Sequence, residues 1–213
     1  MEQTAVQQYL LSFVKQEDEL LLNMEQYASE HGVPIMDRLG MGFMLQMLRL
    51  IQPKAILEIG AAIGYSGIRM ASAVDDVHVV TIERDSDRYE KAVSYIQKSS
   101  VSERISLLYG DALEVFDEVQ KHGTFDVIFI DAAKGQYQRF FELYEPLLNE
   151  KGVIITDNVL FRGLVAEENI ENKRIRSLVK KIKTYNEWLM AHHAYDTVIF
   201  PIGDGVAVSK KKG

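Results

Sequence analysis

Two polar clusters follow apolar stretches in the second half of the chain, and their side chains could together bind a metal ion. In FDVIFIDAAKG, Asp131 ends an apolar run and precedes Lys134 by three residues, and in VIITDNVL, Asp157 and Asn158 stand side by side after another such run. Carboxylate and amide oxygens are hard donors that suit Mg²⁺ better than zinc. We therefore expect Asp131, Asp157 and Asn158 to hold a divalent cation at one edge of a sheet.

This donor set predicts a particular chemistry. Three protein ligands leave about three octahedral positions for water and substrate, so a substrate with two neighbouring oxygens could chelate the cation. The cation would then stabilise a deprotonated hydroxyl as a nucleophile. Lys134, within one helical turn of Asp131, would take the hydroxyl proton or stabilise the oxyanion. Each residue alone could equally cap a helix, so the prediction rests on the set.

A glycine-rich turn in LEIGAAIGYSG predicts a cofactor pocket upstream of these clusters. Its spacing differs from the GxGxxG of NAD-binding proteins. Gly60 would let the backbone approach a ligand closely. Glu58 precedes the turn and could accept from the ammonium of an amino-acid moiety, whereas it would repel a pyrophosphate. This favours S-adenosylmethionine over a dinucleotide, although Glu58 could instead cap a helix or pair with a lysine.

Acidic residues end the next two predicted strands. Glu83 closes the apolar run of VVTIERD, where an acidic side chain usually accepts from ribose hydroxyls. Asp111 in LLYGDA ends the following strand and could bind the amino group of adenine. Competing chemistries lack their motifs, because the chain contains neither a GxSxG elbow nor a GxxxxGK[ST] loop.

Strand and helix patterns alternate after Pro53, which predicts a mostly parallel sheet with helices on both faces. The predicted strands are 55–59, 77–82, 105–109, 125–130, 153–156, 197–200 and 206–209, and the predicted helices among them include 84–98, 137–148 and 173–191. The last two strands are joined only by PIGDG, which is too short for a parallel crossover and therefore predicts an antiparallel hairpin. Because ligands bind beyond the carboxyl ends of such strands, all these motifs should meet at one edge.

We therefore predict an α/β Rossmann-like methyltransferase fold with seven strands, a C-terminal hairpin and N-terminal helices. The whole chain, 1–213, would form a single domain, with 1–52 as a helical cap and 53–213 as the α/β core. The exposed face of the cap could form a homodimer interface or could simply cover the sheet.

Composition narrows the functional classes. The chain has 213 residues and a net charge of −7, which argues weakly against broad nonspecific binding to nucleic acid. The absence of cysteine excludes disulfides and thiolate zinc sites. No apolar run approaches the roughly 18 residues of a membrane helix, and the N-terminus lacks the pattern of a signal peptide. We expect a cytoplasmic protein that does not associate with a membrane.

One segment departs from the acidic average. Residues 173–183 include six basic and no acidic residues, and at helical spacing these basic residues lie opposite Ile175, Leu178, Val179 and Ile182. The segment is either the solvated face of an amphipathic helix or a docking surface for a polyanion.

The combination of LEIGAAIGYSG, TIERD, GDA, VIFIDAAKGQY and TDNVL resembles the cation-dependent O-methyltransferases of the catechol and caffeoyl-CoA type, over residues 30 to 210. The resemblance implies that Asp131, Asp157 and Asn158 hold the cation and that Lys134 assists deprotonation. It also implies that Glu83 binds ribose, that Asp111 and Ala112 flank the adenine, and that Asp131 serves both cation and cofactor. Ser66 and the backbone near Met36 would contact the amino-acid end of S-adenosylmethionine.

Within that family, the whole chain is most similar to the bacterial tRNA 5-hydroxyuridine methyltransferases. A 5-hydroxyuracil carries adjacent oxygens that could chelate the cation as a catechol does, and anticodon-loop bases are unstacked and accessible. The expected partner is thus the tRNA anticodon loop, with phosphate contacts from Arg162, Lys173, Arg174, Lys180, Lys181 and Lys183. Two alternatives remain, a methyltransferase of small vicinal phenols and a catalytically silent binding protein.

Overall fold

The computed structural model describes residues 5–14 and 18–212, which form eight α-helices and seven strands. The helices are α1 Ala5–Leu11, α2 Glu19–His31, α3 Arg38–Ile51, α4 Tyr65–Ala73, α5 Ser86–Lys98, α6 Phe116–Gln120, α7 Tyr137–Tyr144 and α8 Lys173–Ala191. The strands are β1 Ala55–Ile59, β2 His78–Glu83, β3 Ile105–Tyr109, β4 Phe125–Ile130, β5 Leu148–Thr156, β6 Tyr195–Phe200 and β7 Val206–Lys211. Residues 1–4 and 15–17 of the expected helical cap lie outside the described residues.

The strands form one sheet in the order β3-β2-β1-β4-β5-β7-β6. The pairings from β3 to β5 are parallel, whereas β7 pairs antiparallel with both β5 and β6. This confirms the predicted fold class and the antiparallel hairpin. The hairpin doubles back so that β7 lies between β5 and β6, which brings the turn before β7 next to the end of β5.

Several predicted boundaries were wrong by a few residues. Helix α5 begins at Ser86 rather than 84, because the Asp85 side chain accepts from the amide of Arg88 and caps the helix there. Helix α7 ends at Tyr144 rather than 148, since a short 3-10 turn containing Pro146 follows it. Strand β5 begins at Leu148 rather than 153, with an irregular register before its last four residues.

Alternating strand residues build a hydrophobic core on each face of the sheet. Helices α2, α3, α4 and α5 cover one face, and α7 and α8 cover the other. On β1, for example, Ile56 packs under the first group and Leu57 under the second. Two of the N-terminal helices therefore cover the sheet, which is one of the two roles expected for them.

Helix α1 differs from α2 and α3 because its large apolar side chains face solvent. Val6, Tyr9 and Leu10 are at least 47% exposed, and Phe13 just beyond the helix is 65% exposed. These side chains are available for the expected homodimer interface, which stays a prediction. Within residues 5–14 and 18–212, each helix is too short or too polar to cross a membrane.

The carboxyl ends of the central strands lie in register, and this alignment positions the polar residues that follow them. Ile59 of β1 pairs with Ile130 of β4, which pairs with Thr156 of β5. Gly60, with φ 105°, therefore lies beside Asp131, and a Cβ on Gly60 would stand 2.1 Å from the carbonyl oxygen of Asp131. Only a residue without a side chain allows this approach.

We expect Gly60→Ala to destabilise the fold much more than Gly123→Ala. Both glycines have a left-handed φ, 105° and 92°, but a Cβ at Gly123 would meet no atom within 4 Å. The control should lose about 1–2 kcal/mol from backbone strain, and Gly60→Ala should lose about 1–3 kcal/mol more from the overlap. Urea denaturation of both variants measures the difference, and equal losses would contradict the close approach of β1 and β4.

Candidate active site

The structure brings the four residues of the predicted metal cluster to one end of the sheet. The amides of Asp131 and Asp157 continue the parallel ladders by donating to the neighbouring strands at 3.0 Å. The amide of Asn158 donates to the Asp157 carboxylate at 2.7 Å, and the Lys134 ammonium donates to the Asn158 side-chain oxygen. Two carboxylates, an amide and an ammonium therefore share one site.

The electrostatics of this site leave the two carboxylates under-compensated. Burial raises the pKa of Asp131, and although Lys134 opposes this shift, Asp204 adds to it. Burial and repulsion by Asp131 raise the pKa of Asp157 well above its ordinary value. Because one ammonium faces two carboxylates, the site has room for further positive charge.

A divalent cation fits this donor set. Two carboxylates and an amide oxygen are ligands that Mg²⁺ and Ca²⁺ accept. The set mixes carboxylates with an amide, and the described residues contain no group of three or more His, Cys, Asp or Glu side chains suited to a metal. Asp131, Asp157 and Asn158 could thus hold the ion that the buried negative charge favours.

The loop that carries Asn158 is strained. Asn158, Phe161 and Arg162 have left-handed φ angles of 61°, 43° and 58°. Such angles are unfavourable for residues with a side chain and persist only where the surroundings enforce them. The loop must therefore be held from outside.

The turn of the β6–β7 hairpin holds this loop. The amides of Val159 and Leu160 donate to the carbonyls of Gly205 and Asp204 at 3.0 Å, and the amide of Arg162 donates to the Asp204 carboxylate. A Cβ on Gly205 would stand 2.3 Å from the Leu160 side chain. The length of PIGDG predicted an antiparallel hairpin but not this contact, although an aspartate between two glycines is a typical signal of a specialised turn.

The predicted cofactor residues, with one exception, line a cavity of about 290 Å³ beside this cluster. Its wall includes Met36, Gly60, Ser66, Glu83, Asp111, Ala112 and Asp131. We call it the donor cavity. The sequence therefore located its wall at four strand ends and at the glycine turn.

Glu83 ties the glycine turn to the end of β2. Its carboxylate accepts from the amides of Ala62, Arg84 and Asp85 at 2.7, 2.9 and 2.8 Å. A carboxylate has about four acceptor positions, so Glu83 keeps capacity for a further donor such as a ribose hydroxyl.

Asp111 and Ala112 also line the donor cavity, at the end of β3 next to β2. The Asp111 carboxylate accepts from the amide of Leu113 at 2.9 Å and forms an ion pair with Arg84 at 3.1 Å. These interactions lower the pKa of Asp111, with the Leu113 amide contributing most. The Ala112 carbonyl accepts from the Tyr144 hydroxyl at 2.6 Å, which fixes the backbone at this wall.

Glu58 is the exception, because it lies behind the cavity wall. It is fully buried and accepts from Ser66 and, at 2.5 Å, from Thr81. Burial raises its pKa to about 7 even though both hydroxyls oppose the shift. Ser66 does line the cavity, so Glu58 would act on a bound ligand through Ser66 unless the wall rearranges.

A second cavity, of about 820 Å³, also borders the cluster. It shares Asp131, Lys134 and Asn158 with the donor cavity and also contains Asp157 and Arg162. We call it the acceptor cleft. A methyl donor and an acceptor placed in these two cavities would meet at the residues that the cavities share.

The basic residues predicted to contact RNA are all exposed, but they lie in different places. Arg162 lines the acceptor cleft, and Lys180 and Lys181 line a third cavity beside Lys134. Lys173, Arg174 and Lys183 lie on α8 outside these three cavities. Of the apolar residues opposite them, Val179 and Ile182 are buried whereas Ile175 is 36% exposed.

Comparison with known proteins decides the family. A family model described as O-methyltransferase matches residues 12–212. The chain belongs to the O-methyltransferase family. It is an enzyme of the cation-dependent class, and its cofactors are S-adenosylmethionine and a divalent cation.

Individual relatives agree with this assignment. A caffeoyl-CoA O-methyltransferase of Populus kitakamiensis is 31% identical over 175 residues, covering 79% of this chain and 74% of the relative. A solved structure from Staphylococcus aureus, described as a proposed caffeoyl-CoA O-methyltransferase, is 39% identical to this chain. The two structures superpose with a TM-score of 0.91 over 96% of this chain and 98% of that one. An S-adenosylhomocysteine-bound methyltransferase of Podospora anserina is 26% identical with a TM-score of 0.86, covering 98% and 94%.

Glu58 should make the stability of the enzyme depend on pH. A carboxyl whose pKa is raised on folding, here from 4.5 to about 7, gives stability that is fully present below pH 4.5 and is lost as the pH rises through 7. At about 1.4 kcal/mol per pKa unit, the loss from this group is about 3 kcal/mol. Glu58→Gln should remove that part of the pH dependence, measured as the free energy of unfolding between pH 4.5 and 8. Parallel pH profiles for both proteins would contradict the raised pKa.

Proposed function

We propose that this enzyme transfers a methyl group from S-adenosylmethionine to the 5-hydroxyl of 5-hydroxyuridine at the tRNA wobble position, giving 5-methoxyuridine, with Mg²⁺ as the cation. Such a substrate would place the enzyme in the cytoplasm. Methyl transfer follows from the family, whereas the acceptor and the ion are proposals that rest on the site.

The residues of the site have distinct roles in this proposal. Asp131, Asp157 and Asn158 hold the cation, which when bound lowers the pKa of an acceptor hydroxyl. Lys134 reaches both cavities, so its ammonium can stabilise the developing oxyanion or, once neutral, take the hydroxyl proton. A donor and an acceptor bound in the two cavities would lie next to each other at the shared wall, which would supply the orientation that a displacement at a methyl carbon requires.

The donor cavity has a matching division of roles. Ser66 and the backbone near Met36 contact the amino-acid end of S-adenosylmethionine, Glu83 accepts from its ribose, and Asp111 and Ala112 border the adenine. Gly60 permits close approach of the ligand to the backbone. Ser66 is held by buried Glu58, so its hydroxyl donates inward and its oxygen is free to accept from the ammonium of the ligand.

The observation that supports the tRNA acceptor is the unbalanced positive charge of α8, whose Lys180 and Lys181 line a cavity together with Lys134. The enzyme has a net charge of −7, but the six basic side chains between 173 and 183 face solvent without an ion pair among the described residues. Phosphates of a nucleic acid are the natural complement of such a surface. Arg162 adds positive charge at the cleft itself.

A second acceptor class, a small vicinal phenol, is favoured by the names of the relatives. The Populus kitakamiensis and Petroselinum crispum relatives are both caffeoyl-CoA O-methyltransferases. A catechol would present the same pair of adjacent oxygens to the cation. Phe161, 6.0 Å from the Lys134 ammonium to its ring centroid, could cover such a ring.

Asp157→Asn tests the cation site without relying on activity alone. At pH 8 the variant should be more stable than the parent in the absence of metal, because it removes a buried carboxylate that Asp131 repels. The rise in Tm on addition of Mg²⁺ should disappear, and methyl transfer should fall by about a hundredfold or more. Affinity for S-adenosylmethionine, measured by calorimetry, should stay largely unchanged.

Asp126→Asn is the matched control for that variant. Although burial raises the pKa of Asp126, hydrogen bonds from Asn149 and from the amides of Lys54 and Ala55 lower it overall. Neutralising this carboxylate at the other end of the sheet should therefore lower stability and keep the Mg²⁺ response. An intact Mg²⁺ response in Asp157→Asn would contradict the assigned ligand.

The acceptor can be identified by methyl transfer from tritiated S-adenosylmethionine in the presence of Mg²⁺. We expect incorporation into tRNA from cells lacking this enzyme and none into tRNA that is already modified, with EDTA abolishing the reaction. Turnover of a small catechol alone would move the acceptor to small phenols, and full activity in EDTA would remove the cation from the mechanism.

A further inference from the structure

The third cavity is a groove that runs from the candidate active site to α8. It encloses about 360 Å³ between residues 134–139 and the middle of the helix, and Lys134, Arg139, Lys180 and Lys181 all line it. Lys134 also lines the donor cavity and the acceptor cleft. The groove therefore borders, at Lys134, the place where the acceptor hydroxyl would lie.

Lys181 lies across this groove toward the candidate active site. A Cβ added to Gly135 would stand 3.3 Å from Cδ and 3.4 Å from Nζ of Lys181. The Lys181 ammonium thus lies against Gly135, the residue next to Lys134, although Lys181 is an exposed residue. Because Gly135 has no side chain, it leaves room for the Lys181 side chain in this position.

The charge of the groove is not balanced within the described residues. Arg139, Lys180 and Lys181 take part in no ion pair there; the Arg139 guanidinium donates to the Gln136 side chain at 3.0 Å, and its charge contributes to the lowered pKa of Asp111 from a distance. The one carboxylate in the lining, Glu142, accepts from Gln138 at 2.7 Å. Three cationic groups against one carboxylate favour an anion in this groove.

We propose that the groove of Arg139, Lys180 and Lys181 is a phosphate subsite that binds a phosphodiester of the RNA next to the methylated nucleotide. A nucleotide carries phosphates on both sides of its base, so a uracil seated in the acceptor cleft must direct one toward a neighbouring surface. The groove is the cationic surface that shares Lys134 with that cleft. This inference rests on the tRNA acceptor proposed above and assigns its phosphate contact to particular residues.

The groove should act on binding rather than on chemistry. Arg139, Lys180 and Lys181 lie outside the wall that the donor cavity and the acceptor cleft share, so they touch neither the hydroxyl nor the methyl donor. Their loss should raise KM for tRNA and leave kcat nearly unchanged. Each lost contact to a single strand should also reduce the slope of log KM against log salt by about 0.7.

The test compares Lys180→Gln/Lys181→Gln with Lys98→Gln/Lys151→Gln. The control pair removes the same charge from exposed lysines that line none of the three cavities. For tRNA carrying 5-hydroxyuridine, the groove variant should show KM raised by about tenfold and a salt slope reduced by about 1.4, with the control within about twofold of the parent. Turnover of an uncharged catechol should be equal in all three proteins.

The remaining outcomes separate the subsite from the proposed function. Equal losses in the groove and control variants would overturn the subsite, because they indicate general attraction to an acidic polymer. The KM for tRNA of Lys173→Gln/Arg174→Gln, on the same helix but outside the groove, is a second check. An equally large rise in this variant would overturn the subsite, because it would show that the RNA contacts α8 along its length. If the parent enzyme methylates the catechol and not the tRNA, the proposed acceptor itself fails, and the subsite fails with it.

Discussion

The enzyme is organised around two carboxylates of like charge that adjacent strands force together. Asp131 and Asp157 occupy the first positions beyond the paired ends of β4 and β5, so their spacing is fixed by the hydrogen-bond ladder rather than by side-chain choice. Burial raises the pKa of both carboxyl groups, and repulsion by Asp131 adds to the shift at Asp157. The hydrophobic cores on both faces of the sheet stabilise the strands enough to offset this unfavourable pair of charges. A cation that binds between the carboxylates then relieves their repulsion.

Lys134 connects this electrostatic centre to three cavities beside it. It hydrogen-bonds Asn158 and lines the donor cavity, the acceptor cleft and the basic groove. Lys134 begins a short 3-10 turn that lies between the end of β4 and the start of α7. A single flexible ammonium thus compensates the carboxylates and faces each space in which a donor, an acceptor or a phosphate would lie.

The sequence predicted most accurately the strand ends and helix bounds that depend on local residue patterns. Strand order in a parallel sheet brings strand ends together, so Gly60, Glu83, Asp111, Asp131 and Asp157 could be placed at one edge without coordinates. Helix α8 matched its predicted bounds because its apolar stripe and basic face are both periodic. Features that depend on long-range packing were missed. The burial of Glu58 depends on how β1, β2 and the start of α4 pack together, and the hold of Asp204 and Gly205 on the Asn158 loop joins segments more than 40 residues apart.

The contact between the β6–β7 turn and the Asn158 loop determines when the cation site can form during synthesis of the chain. Gly203, at the start of the turn that holds the loop, follows Asn158 by 45 residues (203 − 158), so at about 5–20 residues per second a ribosome adds it about 2–9 s later. Until that turn has been made, the left-handed loop lacks its support. The cation site would therefore be completed only when synthesis has passed β7.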